Sequence, residues 1–191
     1  MSRKPTFTSF SETTAEDWAT IFTEQAPLYT DLPNRIIDHL TLLKGDFAGF
    51  PIDRFDHCLQ TATLAYEGGE TEEYVVCALL HDIGDSLASL NHADLAATIL
   101  QPFVSEQNHW MVKHHGIFQG YYFFHHIGLD RNMRDQFEND ENYQQTAYFV
   151  EHYDNPAFNP NKKARPLEFF VPMVQRVFSA PKQSLYPVGV K

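Results

Sequence analysis

The sequence predicts an all-α protein folded as a single compact helical bundle. Three observations carry this. Apolar residues recur at helical spacing, as in Phe55, Cys58, Leu59, Ala62 and Tyr66. Caps and glycines punctuate those segments, with Thr71 and Asn91 placed to start helices and Gly68-Gly69 to end one. The 191 residues suit one domain and are enough for a substantial core.

Residues 13–25 and 31–43 form two N-terminal helices, the second carrying Ile36, Ile37, Leu40 and Leu43. A loop with Gly45, Gly49 and Pro51 leads into a helix over about 53–67. Thr71 caps the next helix, whose run Val75-Val76-Cys77-Ala78-Leu79-Leu80 is apolar on every side and therefore belongs in the core. Asn91 caps another helix, with His92 at its first position, running to about Phe103. Residues 107–117 form a fifth helix, followed by the aromatic stretch 118–124. A helix over about 141–153 delivers Asp154 at its end, and 155–166 is a polar loop. The last helix, about 166–178, is apolar on one face through Phe169, Phe170, Met173, Val174 and Val177. The tails 1–10 and 180–191 read as extended or mobile, and could swap onto a partner subunit to give a homodimer.

Composition narrows the function classes. A formal charge of −11 without a compensating basic surface argues against a nucleic-acid binder. No stretch approaches the roughly 20 apolar residues of a membrane helix, and the N-terminus lacks the apolar core of a signal peptide. Cys58 and Cys77 sit beside apolar residues in helical patterns and read as reduced thiols of a cytoplasmic protein.

The chemistry gathers at His81-Asp82, which closes the buried apolar run. A carboxylate there is costly unless positive charge meets it, and no Lys or Arg lies between Arg54 and Lys113 to do so locally. A bound metal ion answers the problem, since imidazole and carboxylate suit divalent iron, manganese or zinc. His57, His92, His115 and Asp154 fall on other helices or at their ends. Neighbouring helical residues project about 100° apart, so His81 and Asp82 do not readily chelate one ion together. A dinuclear centre follows: His57, His81 and Asp154 on one ion, His92 and His115 on the other, and Asp82 as the bridging carboxylate. His114 is the rival to His115, and helical phase does not separate them.

The order H…HD…H…H…D, with the local text His81-Asp82-Ile83-Gly84, resembles the HD-domain metalloenzyme superfamily from about Asp53 to Asp154. The six-ligand form is similar to its dinuclear branch, which includes phosphohydrolases, inositol oxygenase and organophosphonate-cleaving oxygenases. The resemblance is strongest to the last group. It implies two iron ions in the mixed-valent Fe(II)/Fe(III) state, dioxygen, and a small hydroxylated substrate. A hydrolytic member acting on a small phosphoester, with Mn, Mg or Zn, is the alternative.

The departures bear on substrate. Phosphonate-cleaving relatives carry basic or histidine side chains where this chain has Asp85, Gln119 and Glu151, and a Tyr and a Glu where it has Phe47 and Phe50. Two carboxylates would repel a dianionic phosphonate. With Tyr122 nearby in sequence, the pocket could instead take a cationic or polyhydroxylated molecule. These six residues are the candidate substrate contacts.

Overall fold

The computed structural model describes residues 4–184, among which every regular element is helical and no strand occurs. Helix α1 (Ala15–Thr30) opens on a reciprocal capping box between Thr14 and Asp17. Helix α2 (Leu32–Leu40) begins with a proline in its first turn and buries Ile36 and Leu40. A glycine-bearing loop then reaches α3 (Arg54–Glu67), capped by Asp53, whose carboxylate accepts from the Asp56 amide at 2.7 Å.

Helix α4 (Glu72–Leu80) is the centre of the molecule. Thr71 caps it, and every residue from Tyr74 to Leu80 is buried. Complete burial of a Val or Leu side chain is worth roughly 1.5–3 kcal/mol, so apolar packing holds this helix in place. It lies against α3, against α7 (Glu106–Phe123) and against α9 (Leu167–Phe178). The short α5 (Asp85–Ala88) and α6 (His92–Leu100) connect α4 to α7. Asn91 precedes α6 as expected, but its side chain makes no capping bond.

Several boundaries differ from the sequence expectation, beginning with α1, which runs to Thr30 rather than residue 25, and α2, which ends at Leu40 rather than residue 43. The α7 helix continues through the aromatic stretch to Phe123. Phe118 is fully buried among Trp110, Phe137 and Tyr143, and this packing offsets the weak helix preference of aromatic residues. Helix α6 stops at Leu100 rather than Phe103, ahead of Pro102. Helix α8 (Tyr143–Phe149) runs into a π-helical turn, Val150–Asp154, closed by Asn155 N–H donating to the Val150 carbonyl at 2.8 Å. The wider turn ends on buried Asp154.

The described parts of both tails are anchored. Phe7, Phe10, Trp18 and Phe22 form a ladder of ring contacts that folds the N-terminal segment onto α1. At the other end, Lys182 and Gln183 N–H groups donate to the Pro102 carbonyl, and Lys182 pairs with Glu73. Residues 1–3 and 185–191 of the expected tails lie outside the described residues. Cys58 and Cys77 are buried free thiols. Among the described residues no helix is long and apolar enough to cross a membrane.

Candidate metal centre

Six side chains from five segments converge between α3, α4, α6, α7 and the π-turn. His57 comes from α3, and His81 and Asp82 follow directly on the last residue of α4. His92 opens α6, His115 lies in α7, and Asp154 ends the π-turn. His57, His81, Asp82, His115 and Asp154 are buried, whereas the His92 side chain remains 25% exposed.

Asp82 sits at the middle with its two oxygens facing different histidines. Oδ1 lies 3.2 Å from Nε2 of both His92 and His115. Oδ2 lies 3.6 Å from His57 Nε2 and 3.5 Å from His81 Nε2. Asp154 Oδ1 completes the His57 and His81 side, 3.2 Å from His57 Nε2 and 3.6 Å from His81 Nε2. His81 and Asp82 thus both reach the cluster despite their adjacency: His81 keeps helical backbone angles, and the chain then tightens into turns in which the Ile83 N–H donates to the Leu80 carbonyl (3.1 Å) and the Asp85 N–H to the Asp82 carbonyl (3.0 Å).

The outer nitrogens orient the rings. His57 Nδ1 donates to the Ala157 carbonyl (2.9 Å), His81 Nδ1 to Ala78 (2.8 Å) and His115 Nδ1 to Val112 (2.6 Å). A carbonyl only accepts, so Nδ1 carries a proton and Nε2 is the nitrogen turned to the cluster. His92 Nδ1 instead lies 3.2 Å from Asp85 Oδ1.

The electrostatics favour a cation. Burial opposes ionisation of Asp82, yet His81, His115 and His57 outweigh it and hold the carboxyl well below its usual range. Asp154 is depressed in the same way against burial, by hydrogen bonds with His57 and His81. Burial also works against a charged His57, but Asp154 and Asp82 prevail and raise it. His92 goes the other way: burial, joined by His115, His81 and Arg54, pushes it down to about 4 against the pull of Asp82. Among the described residues, buried Asp154 Oδ2 has no hydrogen-bond partner. A buried carboxylate oxygen left so is costly, and a metal ion would satisfy it. His57, His81 and Asp154 place one ligand atom each within 4.8 Å of one another, as do His81, Asp82 and His115, so the donor set fits a metal ion.

His114 is directed elsewhere, stacked on Trp110 at 3.9 Å with its Nδ1 bonded to the Trp110 carbonyl. His125 and His126 lie in an exposed 3-10 turn.

The candidate substrate contacts divide into two groups. Asp85 and Gln119 are engaged with the cluster itself. Asp85 Oδ2 forms an ion pair with Arg54 while Oδ1 faces His92, so the Arg54 guanidinium offsets its charge. The Gln119 amide donates to Asp154 Oδ1 at 2.8 Å. The other four lie further out. Phe50 stacks on Phe158, which stacks on His57 at 4.2 Å. Phe47 is exposed, and Glu151 is exposed near half-buried Tyr122, whose hydroxyl it biases upward after the larger effect of burial.

Arg54 is the residue that sequence reasoning missed. Its Nη2 lies 3.6 Å from Asp82 Oδ2, supplying part of the counter-charge that appeared absent. A signal existed: Arg54 precedes His57 by three residues, which places both on one face of α3.

Comparison with known proteins gives two findings. Residues 54–155 match the family model described as HD domain. A curated relative from Leisingera caerulea, [1-hydroxy-2-(trimethylamino)ethyl]phosphonate dioxygenase (glycine-betaine-forming), is 28% identical over 166 residues, a match covering 70% of this chain and 84% of the relative.

Proposed function

The chain belongs to the HD domain family, and on that premise we propose that it is a non-haem di-iron oxygenase that oxidatively cleaves a small hydroxylated metabolite. The observation that carries the dinuclear part is the division of Asp82 between two histidine pairs. His57, His81, Asp154 and Asp82 Oδ2 would hold the first ion, and His92, His115 and Asp82 Oδ1 the second. The oxygenase part draws on the relative, itself a dioxygenase, and on a histidine and carboxylate donor set that suits iron. When bound, a mixed-valent iron pair supplies a Lewis-acidic anchor for the substrate hydroxyl and the electrons for dioxygen activation.

The protein's own side chains account for the asymmetry of the site. Phe158 stacks on His57 and is backed in turn by Phe50, so the first ion's side of the site is walled by aromatic rings. The exposed edge of His92 leaves the second position as the side from which substrate arrives. Gln119 orients Asp154, and the Nδ1 contacts prevent the four rings from turning. The relative's substrate bears a hydroxyl, a phosphonate and a trimethylamino group. Here exposed Glu151, beside Tyr122, would offer an acidic group to a cationic or polyhydroxylated end of the substrate.

The test is oxygen uptake by iron-loaded protein against hydroxylated amines, polyols and hydroxyphosphonates. Substrate-dependent uptake is the expected result. Phosphoester hydrolysis supported by zinc, manganese or magnesium, with no oxygen consumed, would overturn the oxygenase reading in favour of a phosphohydrolase.

A further inference from the structure

We propose that Arg54 and Asp85 form a positioning pair for His92, and that this pair determines whether the second ion binds. The inference rests on the dinuclear reading above and extends it to two residues outside the six assigned ligands, although Asp85 also lies within ligand distance of Asp82 and His92.

His92 differs from the other three histidines in how its outer nitrogen is held. His81 and His115 each use the carbonyl three residues earlier, Ala78 and Val112, within or at the end of their own helices. His57 uses the Ala157 carbonyl from the segment after the π-turn. His92 is the first residue of α6, so the residue three before it, Ser89, belongs to the preceding turn and offers no helical carbonyl. Asp85 takes over that task from the start of α5, with Oδ1 at 3.2 Å from Nδ1.

Asp85 is held in turn by Arg54. The guanidinium pairs with Oδ2, the oxygen turned away from His92, and fixes the carboxylate plane. The same Nη2 stands 3.6 Å from Asp82 Oδ2, so Arg54 also abuts the proposed bridge. The Arg54 side chain is 17% exposed and that of Asp85 only 9%, which makes removal of either charge consequential for the other. Three elements, α3, α5 and α6, are tied through this one chain of contacts. A carboxylate on the outer nitrogen holds the imidazole in the tautomer that presents Nε2 to an ion and raises its basicity. Without that anchor the partly exposed His92 ring is free to turn.

The experiment reconstitutes metal-free protein anaerobically with ferrous iron, counts bound ions, and measures both affinities against a competing chelator. It compares wild type with Arg54→Met, Arg54→Lys and Asp85→Asn. Asn keeps the shape of Asp85 but has one acceptor for two donors, Arg54 and His92. The expected result is two ions in the wild type. In Asp85→Asn and Arg54→Met the first affinity stays unchanged, while the second weakens roughly ten- to hundred-fold. Arg54→Lys recovers part of the loss, because an ammonium still pairs with Asp85. Retention of both ions at wild-type affinity, or equal loss of both in a variant with a wild-type circular dichroism spectrum, would overturn the pair's role. If Arg54→Met fails to fold, isosteric Asp85→Asn decides the question. A wild type that binds only one ion would overturn the dinuclear reading itself, an outcome distinct from failure of the pair.

Discussion

Gly84 lies directly beneath the backbone of His92: a Cβ built on it would stand 2.3 Å from the His92 carbonyl oxygen and 2.9 Å from its Cα. Backbone cannot yield as a flexible side-chain tip can. Gly84→Ala should therefore push the start of α6 outward and carry His92 with it. Overpacking of this kind costs about 1–3 kcal/mol. Thermal melts should show a Tm lowered by several degrees. Iron titration should show weakened binding of the second ion, with the first little changed.

The two neighbouring histidines of α7 give a sharper contrast. His115 faces Asp82 Oδ1, whereas His114 stacks on Trp110. His114→Ala should leave bound iron near the wild-type count and cost only packing. His115→Ala should abolish the second ion. Elemental analysis of the two purified variants checks both outcomes.

Gln119 is expected to act through Asp154. Its amide donates to Oδ1, the oxygen that faces His57 and His81, while Oδ2 has no hydrogen-bond partner. Replacing Gln119 by Leu removes the donor that orients the carboxylate. Affinity for the first ion should fall roughly ten-fold while the second is retained. Chelator competition at the two sites measures the difference.

Much of this arrangement was legible in the sequence. Thr71 and the unbroken apolar run predicted α4, and the run's end on His81-Asp82 predicted where chemistry would gather. What escaped were contacts between segments. Arg54 reaches Asp85 across the bundle, and no local pattern reports that distance. Asp85 read as a substrate contact because the resemblance places a basic or histidine side chain at that position. The π-turn before Asp154 was also hidden, since apolar spacing resembles an ordinary helix until one extra residue is inserted. The aromatic stretch 118–124 reads as following α7, whereas all of it but Phe124 belongs to that helix. Within it Gly120 provides room for the Phe124 ring, which a Cβ would meet at 2.3 Å.

Glu73 links the C-terminal segment to the core and gives a pH-dependent prediction. It pairs with Lys182 and accepts from the Ser105 N–H (2.7 Å) and the Asn108 amide (2.8 Å). Burial alone would raise its pKa, but these partners prevail and hold it below the ordinary carboxylate value. The unfolded chain then binds the proton more tightly than the folded one. The stabilisation is present above the ordinary value and disappears as pH falls through the folded value. Both side chains are partly exposed, so solvent screens the pair. Glu73→Gln should cost on the order of 1 kcal/mol at neutral pH and almost nothing in acid below the folded value. Denaturant unfolding of both proteins at the two pH values tests this.

The central claim is that Asp82 joins two ions in one centre, and electron paramagnetic resonance of the partly oxidised iron-loaded protein, with iron counted per chain, tests it most directly. The wild type should hold two irons and show the signal of a coupled mixed-valent pair. Asp82→Ala should lose both the signal and most of the iron. One iron per chain with an isolated ferric signal, or an Asp82→Ala variant that keeps the coupled signal, would contradict the account.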